Sequence, residues 1–199
     1  MNVHAAALVT TALLAIAAPP AMAHVVTFAG SLSTAGEAVL NPVSQGTGTV
    51  TVLFDDDNFT MSVNVSFAGL SGTTSAAHIH CCTGTAGTGS AGVATPVPTF
   101  PGFPLGVTSG SYSQSFDLTQ ASSWNPAFVT ANGGTVNSAF AAFSTGLNAG
   151  KTYFNVHTSL AGGGEIRAFL APVPEPETYA LMLAGLGLLG FAVRRRQLG

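Results

Sequence analysis

The stretch FTMSVNVSF, residues 59–67, alternates apolar and polar side chains along its whole length. In an extended strand successive side chains point to opposite faces, so this stretch has one apolar and one polar face. The apolar face must pack on a core and the polar face must meet solvent. Residues 46–55 alternate in the same way, and Asp56-Asp57-Asn58 between the two stretches is a turn sequence. Together they predict an antiparallel β-hairpin.

The same alternation recurs on both sides of this hairpin. It predicts further strands at residues 25–33, 77–80, 111–118, 152–158 and 165–170. Residues 135–147 instead place apolar side chains at helical spacing, with Thr135 as N-cap and Gly150 as terminator, while residues 118–126 suggest a short helical turn. The Gly- and Pro-rich residues 81–110 predict a long loop that packs over the preceding strand. We therefore expect one mainly β, antiparallel domain with one or two short helices.

The charge of the chain excludes one class of partner. Between residues 24 and 171 the chain carries six carboxylates and two cations, a net charge of −4. Proteins that bind nucleic acids present a basic surface to the phosphates, so we expect no nucleic acid partner. The low charged fraction, 7% of the whole chain, together with many Gly, Ser and Thr residues, suits an extracellular β-domain.

Both ends of the chain look like targeting segments. Residues 5–18 form an uncharged apolar run, followed by a Pro-Pro pair and an Ala-x-Ala site at 21–23. This pattern predicts a signal peptide over residues 1–23, removed by signal peptidase before His24, although its first residues lack the usual Lys or Arg. The central domain then covers residues 24–171.

The C-terminal segment, residues 172–199, has three parts. The residues Pro174, Glu175 and Pro176 precede an uncharged run of fifteen residues, 179–193, which ends at a basic cluster of Arg194, Arg195 and Arg196. We expect the run to be a transmembrane helix, short of the usual ~20 residues. The arginines would stay in the cytoplasm and leave the domain outside.

These three parts, in this order, resemble the PEP-CTERM sorting signal of Gram-negative bacteria. The resemblance implies that the protein is exported and anchored transiently in the inner membrane by its C-terminal helix. An exosortase would process it near the Pro-Glu-Pro motif and deliver it to the cell surface or the medium.

Three histidines form the candidate site. His78 and His80 lie two residues apart in a predicted strand, so both project from one face, and His157 ends another predicted strand. Imidazoles in this number suit copper or zinc, with copper as our first expectation. The alternative is that they are ordinary strand histidines held by backbone groups.

A fourth nitrogen donor is created by the predicted cleavage. His24 would become the first residue, and its free α-amine and imidazole could both coordinate one copper ion. The alternative is that His24 is an ordinary frayed terminus.

Three motifs carry a resemblance to the CHRD family, named for the domain in chordin. They are AHIH at 77–80, NVHT at 155–158 and GEIR at 164–167. The resemblance implies an immunoglobulin-like or copper/zinc superoxide-dismutase-like antiparallel β-sandwich, but no settled activity. Ala168 departs from the glycine that the family often has there.

A weaker similarity connects the histidines with copper/zinc superoxide dismutases, which hold copper with a strand-borne His-x-His. In this similarity His78 and His80 look like the strand pair, His157 like a later ligand, and Arg167 like the cation that guides the anion. The zinc ligands have no counterpart, which favours a copper-only site.

Cys81 and Cys82 follow the histidine pair directly. In an oxidising compartment they could form a disulfide, or stay reduced and join the metal site as thiolates. We expect the disulfide.

Three functions remain open from the sequence. The first is an exosortase-sorted surface or extracellular-matrix protein with a histidine-based copper site. The second is a copper-dependent, superoxide-dismutase-like oxidoreductase. The third is a structural or adhesive β-domain that contacts exopolysaccharide or other surface proteins without a metal. The sequence does not decide whether the domain is catalytic.

Overall fold

A computed structural model describes residues 25–37, 44–174 and 176–197. The predicted signal peptide, His24 and Glu175 lie outside these ranges. The strands are β1 (Val25–Ser33), β2 (Thr47–Asp55), β3 (Thr60–Ala68), β4 (Thr74–His80), β5 (Gly110–Asp117), β6 (Tyr153–Thr158), β7 (Ile166–Phe169) and β8 (Ala171–Pro172). The helices are α1 (Pro126–Ala131), α2 (Val136–Asn148) and α3 (Pro176–Gln197), with single 3-10 turns at Thr34–Gly36 and Ala121–Ser123.

All of these strands belong to one eight-stranded antiparallel sheet. Its order is β4-β6-β7-β1-β2-β3-β5, and β8 pairs with β1. The mainly β, antiparallel class is therefore confirmed, as is the β2–β3 hairpin, in which Asp55 lies opposite Thr60. The two-sheet sandwich implied by the resemblance is not confirmed, because the strands hydrogen-bond into a single continuous sheet.

The sheet curls around one hydrophobic core. Strands from both of its ends contribute to this core, since Ile79 of β4 and Phe116 of β5 are both buried within it. The core is filled from the side by α2, where the Phe143 ring lies 6.1 Å from that of Phe54, and by the long loop, where the Phe100 ring lies 6.1 Å from that of Phe154. The alternation of each strand thus decides which side chains line the core and which face outward.

Helix α2 forms where the apolar spacing predicts it. Thr135 caps its start, because its hydroxyl oxygen accepts a hydrogen bond from the Ser138 amide. Beyond its end Gly150 adopts a φ of +65°, a conformation in which glycine is favoured. The 3-10 turn Ala121–Ser123 lies within residues 118–126, where the sequence suggested a helical turn, and the shorter α1 begins at the end of that stretch, at Pro126 after an Asn125 cap.

Helix α3 holds the predicted membrane segment. Across residues 25–37, 44–174 and 176–197 no helix is both long and apolar enough to cross a membrane. The predicted transmembrane helix is therefore not confirmed. Its uncharged run, 179–193, has fifteen residues, whereas a span ordinarily needs about 20.

Strand β4 lies at one edge of the sheet, and the long loop covers that edge. The loop runs back along the strand, so that the Cys81 amide donates to Gly92 O, the Ala94 amide to Ile79 O and the Phe100 amide to Ala77 O. The edge is thereby closed against pairing with another chain. This cover brings backbone carbonyls from the loop to the side chains of β4.

Candidate metal centre

The candidate site is built on the neighbouring strands β4 and β6. In their antiparallel register His78 lies opposite Asn155, and His157 lies opposite Ala76. The residues between them along each strand, such as Ile79, point into the core and are fully buried. His78, His80 and His157 therefore share the outward face, as the two-residue spacing predicts.

The site is outward-facing with respect to the core, but it is not open to solvent. His78 is 6% exposed and His80 is 7% exposed, while His157 is half-buried. The long loop lies over β4 from one side, and the turn between β6 and β7 approaches His157 from the other. The predicted loop over the histidines is thus present, and it contacts them through its main chain.

Each imidazole has one ring nitrogen at a backbone carbonyl oxygen. The distances are 2.6 Å from His78 Nε2 to Pro98 O, 2.8 Å from His80 Nδ1 to Ala91 O, and 2.9 Å from His157 Nδ1 to Gly162 O. A carbonyl oxygen can only accept, so a hydrogen bond at each distance requires the imidazole to donate. A neutral imidazole has one N–H to give, which leaves its other nitrogen as a lone pair.

Nitrogens of the three rings also lie close together. Nδ1 of His78 lies 3.2 Å from Nε2 of His157, and one ligand nitrogen from each of the three rings lies within 4.8 Å of the others. When both rings donate to their carbonyls and both are neutral, two lone pairs face each other across the 3.2 Å contact. Such a contact is favourable only if a cation, either a proton or a metal ion, lies between the nitrogens.

A proton is the weaker candidate for that cation. Burial lowers the pKa of His78 to about 4, with the neighbouring imidazoles adding to the effect and the Pro98 carbonyl opposing it. Burial also lowers the pKa values of His80 and His157. At neutral pH the imidazoles are therefore uncharged, which is the form that binds a metal ion.

Two residues of β6 contact the ring of His80. The Tyr153 ring stacks on it at 4.7 Å between centroids and at 6° between planes. The Oδ1 atom of Asn155 lies 3.0 Å from its Nε2, so when Nδ1 donates to Ala91 O two lone pairs face each other here too, and Asn155 must turn away before Nε2 can bind a metal ion. These contacts were not predicted from the sequence. The sequence could have predicted these contacts, because Tyr153 and Asn155 precede His157 at two-residue intervals and must share its face.

Arg167 lies beside this cluster on β7, opposite Asn155. Its side chain is 8% exposed, its Nη1 donates to Gly89 O at 3.0 Å, and its guanidinium lies 5.0 Å from the Tyr153 ring centroid. The Nε atom lies 4.0 Å from a carboxylate oxygen of Glu37, which is also buried. The charge of Arg167 thus lies beside a carboxylate and two aromatic rings, and its role in guiding an anion stays a prediction.

Glu37 was not predicted as part of this region. Burial raises its pKa, and the opposing effect of the Arg167 charge is smaller. Oε1 of Glu37 and Nε of Arg167 are both buried without a hydrogen-bond partner among the described residues. The pair therefore holds the Thr34–Gly36 turn against β7 at a considerable desolvation cost.

Cys81 and Cys82 are joined to each other by a disulfide. No free cysteine thiolate is therefore available to the histidines, since the chain has two cysteines in all. His24, the other proposed copper donor, lies outside the described residues, so its distance from the histidine cluster is not defined.

Two parts of the chain match known protein families. Residues 28–170 match the CHRD domain. The chain belongs to the CHRD family. Residues 172–196 match the PEP-CTERM protein-sorting motif, which implies processing by an exosortase and export to the cell envelope. No curated protein and no solved structure matches the chain.

Proposed function

We propose that this CHRD protein carries one transition-metal ion, copper in preference to zinc, to the cell surface or the extracellular matrix. The ligands are His78, His80 and His157. The proposal rests on one observation: each imidazole places one nitrogen on a backbone carbonyl, and one nitrogen from each ring lies within 4.8 Å of the others. Copper is preferred because it binds imidazole nitrogens more tightly than zinc does.

The surrounding residues support a metal site in a specific way. Histidine ligands in metalloproteins usually donate their second ring N–H to a carbonyl or carboxylate, which fixes the tautomer and makes the ligand nitrogen more basic. Pro98, Ala91 and Gly162 would have this role for the three ligands. Tyr153 would hold the His80 ring in orientation by stacking.

The proposed location follows from the two ends of the chain. The sorting motif at 172–196 supports an exported protein processed by exosortase. We propose in addition that the protein is held transiently in the inner membrane of a Gram-negative bacterium before its release to the surface. On this account the metal centre acts outside the cell, where copper is not sequestered by cytosolic thiols.

The test uses the mature protein, freed of metal and then titrated with Cu²⁺ and with Zn²⁺. The bound metal is measured by mass spectrometry and the affinity by competition with a chelator. We expect about one Cu²⁺ per chain, and an affinity loss of at least ~100-fold in His78→Ala and His157→Ala because one of three ligands is removed. Gln114→Ala, a change at an exposed position of β5, is the matched control and should bind as the parent does.

A further variant separates the His24 hypothesis from this site. One alanine inserted before His24 moves the α-amine away from that imidazole. A lower copper stoichiometry or affinity in this variant would assign a role to the terminus, whereas an unchanged titration would leave His24 as an ordinary chain end. Equal metal content in the parent and in both histidine variants, all folded by near-ultraviolet circular dichroism, would contradict the proposal. The histidines would then serve only to pin the loops onto the sheet.

A further inference from the structure

The Cys81–Cys82 disulfide does not cross-link the fold. Its two cysteines are adjacent in sequence, whereas a structural disulfide stabilises a protein chiefly by closing a long loop of the unfolded chain. Here there is no such loop to close. The stabilising role that explains most disulfides in exported proteins therefore does not explain this one.

The two sulfur atoms have different surroundings. Cys81 is 5% exposed and belongs to the hydrophobic core, while Cys82 is exposed and lines a pocket of about 440 Å³ beside α2. Gly146 of α2 forms the floor, because a methyl group at this position would overlap both sulfur atoms. The pocket therefore gives a small molecule access to Cys82 and not to Cys81.

The other walls of the pocket indicate the kind of molecule that fits. Ala141, Ala142 and Ala149 make most of the lining apolar, and Lys151 is the one charged residue among those that line it. A volume of this size lies in the range of small-molecule sites. A ligand with a short apolar part and an anionic group would match both the alanines and the lysine.

We propose that this pocket is a thiol–disulfide exchange site for small thiols that carry a carboxylate. The thiolate attacks Sγ of Cys82, forming a mixed disulfide with it, and the bond between the two cysteines breaks with its electron pair passing to Cys81, which takes a proton from water. A second thiolate attacks the sulfur of the bound small thiol. This step releases the small-molecule disulfide and leaves Cys82 as a thiolate. In total, two small thiols are oxidised by two electrons and the protein disulfide is reduced.

In this arrangement the carboxylate of the small thiol lies beside the Lys151 ammonium group, so the charge at that position raises the rate of exchange. Two opposite charges about 5 Å apart at a solvated surface interact by roughly 1 kcal/mol, which corresponds to a ~3- to 5-fold change in rate. This site is independent of the histidine centre and needs no metal.

The experiment uses the mature protein in the presence of a chelator, which prevents metal-driven oxidation of thiols. Three probes are compared at equal thiolate concentration: glutathione, which carries carboxylates, the neutral 2-mercaptoethanol, and the cationic cysteamine. Acid-quenched samples are digested, and mass spectrometry locates and counts the mixed disulfides. We expect them on Cys82, and a rate that falls in the order glutathione, 2-mercaptoethanol, cysteamine.

Two variants test the role of the lysine. Lys151→Gln should slow the reaction with glutathione ~3- to 5-fold and leave the reaction with 2-mercaptoethanol unchanged, because only the acidic thiol uses the charge. Lys151→Arg keeps the charge and should keep the glutathione rate. Equal rates for the three thiols in the parent, an unchanged glutathione rate in Lys151→Gln, or mixed disulfides located on Cys81 would each overturn the proposal.

Discussion

Glu165 offers a sharp test of how the fold holds its candidate site. The side chain is 2% exposed, and its carboxylate accepts four hydrogen bonds. They come from the Ser44 hydroxyl (2.6 Å), the Ser71 amide (2.6 Å), the Gly72 amide (3.1 Å) and the Thr158 hydroxyl (2.7 Å). One carboxylate thus connects the segment before β2, the turn before β4 and the end of β6, next to His157.

The change Glu165→Ala removes the acceptor and leaves four donors behind. The two hydroxyls can rotate toward other partners and the exposed Ser71 can meet water, so each of these three lost bonds costs about 0.5–1.5 kcal/mol, whereas the buried Gly72 amide without a partner costs about 1–3 kcal/mol. We expect the free energy of unfolding to fall by ~3–5 kcal/mol, a large part of the stability of a domain. Glu165→Gln should cost ~2 kcal/mol, since it keeps one acceptor oxygen but sets an NH₂ group against donors.

The pH dependence adds a second readout. Burial raises the pKa of Glu165, but the four hydrogen bonds together outweigh burial, so the pKa of the folded protein lies below its ordinary value of 4.5. The unfolded chain therefore binds the proton first as the pH falls. The stability that the carboxylate supplies is fully present above pH 4.5 and is lost as the pH falls through the lower pKa of the folded state.

The assay is urea unfolding, followed by circular dichroism, of the parent and both variants at several pH values. The difference between the parent and Glu165→Gln should shrink as the pH falls below 4.5. A loss below about 1 kcal/mol in Glu165→Ala would contradict this prediction, because the buried Gly72 amide must then have found another partner. A parent–Gln difference that is constant with pH would refute the assignment of the effect to the ionised carboxylate.

The remaining predictions concern the histidines, the buried ion pair and the tail. In the metal-free protein burial lowers the pKa of His78 to about 4, against an ordinary value of 6.5. The unfolded state therefore binds the proton first, so stability should be full above pH 6.5 and fall by at most ~3 kcal/mol toward pH 4. Unfolding of the parent and of His78→Asn at several pH values measures this, and parallel stability curves for the two proteins would contradict it. Arg167→Ala should retain the metal but lose ~3 kcal/mol of stability, because Glu37 stays buried without its cation. Measurements of metal content and urea unfolding check both parts, and a loss of copper with unchanged stability would instead make Arg167 part of the metal site. Glu175→Ala, or deletion of Arg194 to Arg196, should trap unprocessed protein by removing recognisable parts of the sorting signal; the intact mass and surface yield of the exported protein report this, and normal values would count against it.

The alternation in the sequence predicted the strands well, because burial of one face imposes a period of two on every strand of this sheet. It also brought His78 and His80 to one face. It could not decide how the strands close, since the same pattern fits a two-sheet sandwich and a single curled sheet. The register of β6 beside β4, which brings His157 to the pair, likewise depends on long-range pairing.

The partners of the histidines were beyond sequence reasoning for a different reason. They are backbone carbonyls of Ala91, Pro98 and Gly162, and every residue carries such a group. The burial of Arg167 was not predicted, because a charged residue in a strand is ordinarily solvated. Here two aromatic rings and Glu37 make its burial possible, and no local sequence pattern predicts that combination.

X-ray absorption at the copper edge of the mature protein, loaded with one equivalent of Cu²⁺, shows directly whether His78, His80 and His157 bind the metal. We expect scattering from three imidazole rings with nitrogen atoms at about 2.0 Å, reduced to two rings in His157→Ala. Copper coordinated by oxygen alone, by sulfur, or by the same number of imidazoles in both proteins would rule out the three-histidine site.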